Sequence, residues 1–496
     1  ITSKRIAEDA GVPVVPWSGG SVETVADAVA TATRVGYPLM IKATAGGGGR
    51  GIRKVESPDD LPALFDSARS EAAGAFGDAT VFMEKAVTGA RHIEVQIVGD
   101  NHGTVWPIGV RDCTVQRRNQ KIIEEAPSPA LEAGQHTAVM RAAADLGTAA
   151  GYRNAGTVEF LFDPASGEFW FMEVNARLQV EHPITELTTG ADLVKMQLAA
   201  ASGAPLEGQA PSTSGHAIEI RLNAEDPIAG FAPSPGQLDH LRFPVGPGIR
   251  VDTGVEEGDA IASEFDSMIA KIIAYGRTRE EAVSRLRRAL SQTVVVVRDG
   301  ATNKAFVESL LRDPIFESGE FDIGWVDGLT SDGGYGESQL ASVAIVAAAI
   351  AAYEEEILID RGRFKESANR GRPVVNAEIG KTIGLRYRGN AYEPRTSKVA
   401  RGRYRIDLGE TTIEATIEDS GQLIQRITVG GRTHRLLSLV ESGTHLVEVD
   451  GVPHRIGHDE GGVIRAPSPA VVVALSVHEG DRVSRGDRLA VIEAMK

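Results

Sequence analysis

The stretch Thr157-Val-Glu-Phe-Leu-Phe-Asp-Pro-Ala-Ser-Gly-Glu-Phe-Trp-Phe-Met-Glu-Val-Asn-Ala-Arg-Leu-Gln-Val-Glu181 decides how this chain is read. Val158, Phe160 and Phe162 alternate with Thr157, Glu159 and Leu161. After the turn signal Asp163-Pro-Ala-Ser-Gly167, a second run places Trp170, Met172 and Val174 between Phe171, Glu173 and Asn175. Two alternating runs around a Pro/Gly turn predict a β-hairpin. Glu159 and Glu173 are equidistant from Ser166. A symmetric hairpin therefore sets them across from each other on one face, about 5 Å apart. Facing carboxylates repel unless they share a cation, and Mg²⁺ prefers carboxylate oxygens while leaving positions for phosphate. A Mg–nucleotide site outweighs a merely solvated hairpin face, because the other face is so apolar. Beyond the hairpin, Glu173, Asn175, Arg177, Gln179 and Glu181 recur with period 2, and an extended chain would aim all five one way. That order runs from metal ligands through an anion site, Arg177 and Gln179, to Glu181, a candidate general base. His182-Pro183 ends the run, and His182 reads as structural rather than catalytic.

Upstream, an apolar strand delivers Lys42 into Ala-Thr-Ala-Gly46-Gly47-Gly48-Gly49-Arg50-Gly51. Glycines let backbone N–H groups approach phosphate oxygens, and Lys42 adds a point charge. The lysine precedes the glycines, so this is not a Walker loop. The run Arg111-Asp-Cys-Thr-Val-Gln116-Arg-Arg-Asn-Gln-Lys121 is rich in cations for an acidic chain, which suggests an anionic ligand as readily as a solvated charged face.

The surroundings agree with a multidomain α+β enzyme. At 496 residues the chain suggests roughly three domains. Apolar residues make up 42% and charged residues 24%, ordinary for a globular protein, while a net charge of −16 argues against general nucleic-acid binding. The single cysteine, Cys113, excludes an intrachain disulfide framework and reads as a buried thiol in a reducing compartment. No apolar run approaches a membrane span. Helices are expected near Thr2–Gly11, Val22–Val35, after Ser57-Pro-Asp-Asp60 and over Leu131–Ala150, with strands at Tyr37–Lys42, Val81–Lys85, His92–Val98 and Thr104–Val110. Residues 326–338, with Gly328, Gly333, Gly334 and Gly336, read as a linker. An Ala-rich helix over about 339–356 follows. From Gly380 short alternating runs recur every 8–12 residues, as in a small β-barrel or sandwich. After Gly461-Gly462 a third unit ends in Glu493-Ala-Met-Lys496, a Met-Lys pair placed to present an amine at a hairpin tip.

Together these motifs resemble one family: biotin carboxylase joined to a biotin carboxyl carrier domain, as in the biotin-containing subunit of acyl-CoA carboxylases. Glu493-Ala-Met-Lys496, with Ala466-Pro-Ser-Pro469 upstream, resembles a biotinylation motif, and Lys42 to Gly51 resembles the glycine-rich lid of the ATP-grasp fold. Met83-Glu-Lys, Arg91-His-Ile-Glu-Val-Gln, Arg111-Asp-Cys, Gln116-Arg-Arg-Asn-Gln-Lys, Glu173 to Pro183, Arg221-Leu-Asn-Ala-Glu-Asp and Asp266-Ser-Met-Ile-Ala-Lys are similar to its other signatures. The resemblance implies an ATP-grasp biotin carboxylase over 1–325, a linker over 326–338, a helix plus small antiparallel β-barrel over 339–460 that docks a carboxyltransferase, and half of a flattened β-barrel biotinyl domain over 461–496.

It also implies site residues. Lys42, Gly46, Gly47, Gly48, Gly49, Glu84, Lys85, Val87, His92 and Gln116 would bind ATP. Glu159 and Glu173, with Asn175, would hold Mg²⁺ or Mn²⁺. Arg177, Gln179 and Val180 would bind bicarbonate. Glu181 would deprotonate it to give carboxyphosphate, Lys121 would contact phosphate, and Arg221 would stabilise the biotin enolate. Lys496 would carry covalent biotin. Implied partners are a carboxyltransferase domain or subunit, biotin protein ligase and copies of the chain in a higher-order oligomer, with no nucleic acid and no membrane span. The compartment would be a bacterial cytoplasm or a mitochondrial matrix. Four departures stand out. The family's N-terminal subdomain, with a further ATP-binding lysine, is missing. Asn119 stands where many relatives have His. Ala470 replaces a usual Gly. The second half of the carrier domain is not in this sequence, which reads as an excerpt of a longer protein. Pyruvate, urea or geranyl-CoA carboxylases, and a non-catalytic biotin-carrying subunit, stay open as alternatives.

Overall fold

The computed structural model describes residues 1–46, 51–298, 300–331, 340–373, 375, 379–420, 423–441, 443–458, 470–478, 480–484 and 487–494. They fall into two compact units, Ile1–Ser338 and Gln339–Lys496.

In the first unit a short sheet is built from β1 (Leu39–Ala43), β2 (Ile52–Val55) and β3 (Val81–Lys85), with β1 central. Helices α2 (Val25–Val35) and α3 (Leu61–Phe76) share its core through Ala28, Ala32, Phe65 and Ala68. Helix α2 starts at Val25 because the Thr24 side chain accepts from the Asp27 N–H. Helix α3 starts at Leu61, not Pro58, with Asp60 at its N-cap.

The large sheet has eight strands. Its centre runs in the order β9 (His216–Asn223), β6 (Gln120–Ala126), β5 (Val105–Arg117), β4 (Arg91–Gly99), β7 (Asn154–Asp163) and β8 (Glu168–Asn175). Strands Met268–Gly276 and Ile249–Thr253 extend it beyond β9. One face buries Ile93, Val95, Val158, Phe160, Phe162 and Phe171 against α4 (Ala133–Ala149) and α1 (Thr2–Asp9). The β5–β6 hairpin turns on Arg118 and Asn119, at φ 47° and 64°. Asn tolerates that left-handed conformation, which accounts for it here.

The sequence expectation needs correction in places. Helix α1 is preceded by Ile1, with no side-chain cap from Thr2 or Ser3. The stretch expected to link domains begins with a helix, Trp325–Ser331, in the first unit: Val326 is buried and Trp325 stacks on Phe321. Packing of these two side chains overrides the glycine content. Residues 332–339 lie outside the described set.

In the second unit one helix, Ala341–Asn369, runs well past the expected end near Glu356. Its first half is buried nearly all round, from Val343 to Tyr353. A ten-stranded antiparallel sheet wraps it, and strands near both ends of the strand order touch the helix. Val447, Val449, Ile456, Leu385 and Ile406 face it in one core. A hairpin of Ala470–Leu475 and Ala490–Ala494 follows.

Candidate active site

The site grows out of one row of charges across the large sheet. Arg111 of β5 pairs in register with Glu94 of β4, Glu94 with Glu159 of β7, and Glu159 with Glu173 of β8. Glu173 reaches this face because the register shifts by one residue between Glu159 and Phe160. From the turn upward, Phe162 meets Phe169 and Phe160 meets Phe171, all toward the core. Strict alternation from Phe171 would then send Glu173 to the core too. The bulge at Met172 absorbs one residue and returns Glu173 to the face of Glu159.

Each carboxylate in the row has a different environment. Glu94 is fully buried, which alone would raise its pKa, but Arg111 at 2.5 Å and Lys121 at 2.7 Å hold it down at about 2. Burial likewise acts against the charge on Glu159, yet His92 at 3.2 Å and Lys121 at 3.3 Å keep it below the usual range. Glu173, at the exposed wall of the site, makes no close ion pair among the described residues; desolvation and the facing Glu159 push its pKa up against the weaker pull of Lys42 and His92. A hard cation between Glu159 and Glu173 would relieve that repulsion, so the residues fit Mg²⁺. Glu94 is already held by Arg111 and Lys121.

Lys121 is the hub. Its Nζ lies 2.5 Å from Glu181 Oε1, besides Glu94 and Glu159. Glu181 is 1% exposed and its other oxygen accepts from Arg221 Nη2 at 3.1 Å. Arg221, on β9, is held in turn by Glu124 at 2.6 Å. Lys271 donates to the Val180 carbonyl at 2.8 Å, fixing the segment that carries Glu181. All of this opens on a cavity of about 380 Å³ lined by Lys42, His92, Gln116, Lys121, Glu159, Glu173, Asn175, Arg177, Gln179, Val180, Glu181 and Arg221.

Several expected roles are placed differently. The five-residue ladder does not stay extended: β8 ends at Asn175 and a helix, α5 (His182–Thr189), begins after a turn at Val180–Glu181. Gln179 is buried; its amide donates to Glu159 at 3.1 Å and accepts from Arg111. Arg177 is exposed at the cavity wall, donating to the Leu178 carbonyl. The Lys85 ammonium donates to the Tyr37 carbonyl at 2.6 Å. Glu84 and Lys85 do not line the cavity, nor does Val87, which follows β3; Glu84 joins it through Lys42, at 2.6 Å. Of the cations in this run, Arg111 is internal to the sheet, Arg117 lies over the Phe231 ring, and Lys121 lines the cavity. Cys113 is buried, and burial pushes its thiol pKa up, away from nucleophilic use. His182 donates from Nδ1 to the Gln179 carbonyl at 2.9 Å, a structural role. Gly46 precedes the loop; Gly47, Gly48, Gly49 and Lys496 lie outside the described residues.

Lys4 is a residue that sequence reading missed. It is 3% exposed, its Nζ lies 2.6 Å from Glu84, and it stands over the Trp17 ring. Burial would raise Glu84, but Lys42 and Lys4 together hold it low. A lysine on the buried side of a short amphipathic helix, one turn before Ala7, was the available signal.

Three family models match the chain. Residues 1–209 match the carbamoyl-phosphate synthase L chain ATP-binding domain, 219–328 the biotin carboxylase C-terminal domain, and 462–496 the biotin-requiring enzyme model. Biotin carboxylase 1 of Bacillus subtilis is 45% identical over 322 residues, covering 64% of this chain and 71% of that protein. The chain belongs to the biotin carboxylase family. It is a ligase-family chain with an ATP-grasp region and a biotin-carrier region. The mitochondrial alpha subunit of methylcrotonoyl-CoA carboxylase from Arabidopsis thaliana matches 100% of the chain at 36% identity, over 74% of its own length. Among solved structures, a biotin carboxylase–β-γ-ATP complex from Campylobacter jejuni aligns with a TM-score of 0.64 at 39% identity, over 66% of this chain and 72% of that one. The biotin carboxylase domain of Hydrogenobacter thermophilus 2-oxoglutarate carboxylase, solved with MgADP and bicarbonate, aligns at 0.65 and 39%, over 68% and 74%. No helix among the described residues is long and apolar enough to cross a membrane.

Proposed function

We propose that the chain carries out ATP- and bicarbonate-dependent carboxylation of biotin borne on Lys496, as the biotin-containing part of an acyl-CoA carboxylase. The observation that supports this best is Glu181: a buried carboxylate clamped between Lys121 and Arg221 at the wall of the cavity that also holds the Glu159–Glu173 pair. In this reading Glu159 and Glu173, beside Asn175, hold Mg²⁺ or Mn²⁺. The ion supplies positive charge to the phosphate oxygens. Lys42, Glu84, Lys85, Val87, His92 and Gln116, with the glycine loop, take the nucleotide, and Lys4 adds a cation next to Lys42. Arg177, Gln179 and Val180 hold bicarbonate. Glu181 takes its proton as the bicarbonate oxygen attacks the γ-phosphorus, so that ADP leaves and carboxyphosphate forms. Lys121 neutralises charge on the phosphate, and Arg221 does so where the biotin carbonyl oxygen gathers it.

Residues 1–325 then form the catalytic part, 339–460 dock a carboxyltransferase and 461–496 carry biotin, with biotin protein ligase as the modifying partner and a higher-order oligomer as the assembly. The acyl-CoA assignment rests on the middle region. The Arabidopsis thaliana methylcrotonoyl-CoA carboxylase alpha subunit matches the whole chain, middle region included, while the soybean and rice subunits of that name match 66% of it, as does an archaeal pyruvate carboxylase subunit from Methanothermobacter thermautotrophicus. A bacterial cytoplasm or mitochondrial matrix is the compartment of this reading. The test is bicarbonate-dependent ATP cleavage with free biotin. Glu181→Gln is expected to lower kcat at least about 100-fold. An unchanged rate would remove Glu181 as base, and no bicarbonate dependence in the unaltered protein would remove the function.

A further inference from the structure

The helix-and-sheet unit contains a group of ligand atoms that the carboxylation chemistry does not use. His445 is the second residue of the strand Thr444–Val449 and His458 closes its partner Val452–His458, so both stand at the same end of one hairpin. His445 alternates with Val447 and Val449, which are 0% exposed, and it is itself 0% exposed. His458 follows His454 and Ile456, 2% and 0% exposed, on the inner side of its strand. Both imidazoles therefore stand on the sheet face that packs against the helix Ala341–Asn369, beside a core of aliphatic and tyrosine side chains. Their Nε2 atoms are 2.8 Å apart with the ring planes nearly parallel, at 16°. His445 Nδ1 has no hydrogen-bond partner, so the second imidazole is this buried ring's polar neighbour.

The third group comes from the helix, at the point where its buried half ends. Glu354 is held by Lys398 and Tyr404, and Glu356 by Lys381. Glu355 between them is exposed and has no cation partner among the described residues. One ligand atom from each of Glu355, His445 and His458 lies within 4.8 Å of the other two.

We propose that Glu355, His445 and His458 form a binding site for a Zn²⁺-class divalent metal where the buried half of the helix ends. Two imidazole nitrogens and one carboxylate oxygen are the donor set that suits Zn²⁺, Co²⁺ or Ni²⁺. Mg²⁺ prefers oxygen alone and belongs with the Glu159–Glu173 pair. Without a metal, one N–H shared between the two Nε2 atoms satisfies the pair; with both protons on Nδ1, both Nε2 lone pairs are free for a metal ion. A bound ion would tie the helix to the hairpin and stabilise the unit in proportion to its occupancy.

The experiment uses the full chain, stripped with a chelator and titrated with Zn²⁺ in excess Mg²⁺, with Co²⁺ as a spectroscopic probe. The expected result is one equivalent of Zn²⁺ that Mg²⁺ does not displace, a raised Tm for this unit, and the visible absorption of Co²⁺ bound by nitrogen and oxygen ligands in a tetrahedral field. Glu355→Gln and His458→Gln should each weaken Zn²⁺ binding about 100-fold while leaving ATP cleavage intact. Because Glu355 is exposed, its variant decides the matter even if the histidine variant unfolds. Unchanged Zn²⁺ affinity in Glu355→Gln, or no Mg²⁺-resistant Zn²⁺ in the unaltered chain, would overturn the site.

Discussion

Glu219, on β9 one residue pair from Arg221, is fully buried and neither of its carboxylate oxygens has a hydrogen-bond partner. Burial, then the neighbouring Glu124, push its pKa well above that of a free glutamate, against the pull of Lys271. A raised folded-state pKa means that stability is fully present below the unfolded value near 4.3 and is lost as pH rises toward the folded value. Glu219→Gln should therefore match the unaltered chain at acidic pH and melt at higher temperature above it. Tm measured from pH 5 to 8 checks this, and parallel curves would refute it. Residues of this kind are not visible in sequence. Glu219 and Arg221 alternate identically, and only the packing says that one is unpartnered while the other reaches Glu181. Lys4 is a similar case, since a lysine in a surface-like helix becomes a buried partner of Glu84. Glu159 and Glu173 were legible because chemistry and turn symmetry both pointed to them.

At the scale of elements, the β7–β8 hairpin carries the most specific information. Counting from Ser166 pairs the two glutamates correctly, but counting alone puts Phe171 on their face as well. The bulge at Met172 resolves the conflict by adding one residue between the core-facing and cavity-facing parts of β8. Deleting a residue inside a strand normally inverts every side chain beyond it. Deleting Met172 removes only the extra residue, so Glu173 should stay opposite Glu159 and metal-dependent ATP cleavage should persist within about 10-fold. Deleting Val174 sends Asn175 to the core face and should cost about 100-fold or more, comparable to losing a transition-state hydrogen bond. Equal effects of the two deletions in steady-state assays would refute this pairing. The 326–338 stretch misled for the opposite reason: its glycines signalled a loop, but Val326 and Trp325 had apolar partners to bury against.

The two units set different conditions for the molecule as a whole. In the helix-and-sheet unit His454 is 2% exposed and bonded to the Tyr387 hydroxyl at 2.9 Å. Burial, with Arg388 nearby, lowers its pKa to about 4. The folded state keeps this ring neutral while the unfolded chain takes up a proton below about pH 6.5. Stability is thus complete above that value and falls as pH drops toward about 4, by up to roughly 3 kcal/mol. Unfolding monitored in this unit should show that acid limb; His454→Gln should reduce it by this ring's share and leave the share of His445, whose pKa burial also lowers to about 4; an unchanged limb would remove His454 as a source. Composition, motifs and alternation were enough to read the α+β class and the change of texture after Gly380 and to point to nucleotide-and-carboxylate chemistry, because each depends on local spacing or residue type. The long-range pairings were not available from spacing. Lys121 meeting Glu181, Lys4 meeting Glu84, and His445 meeting His458 and Glu355 all join separate elements. Their charges and lone pairs are set by which strands and helices lie side by side, and that is a property of the packed chain.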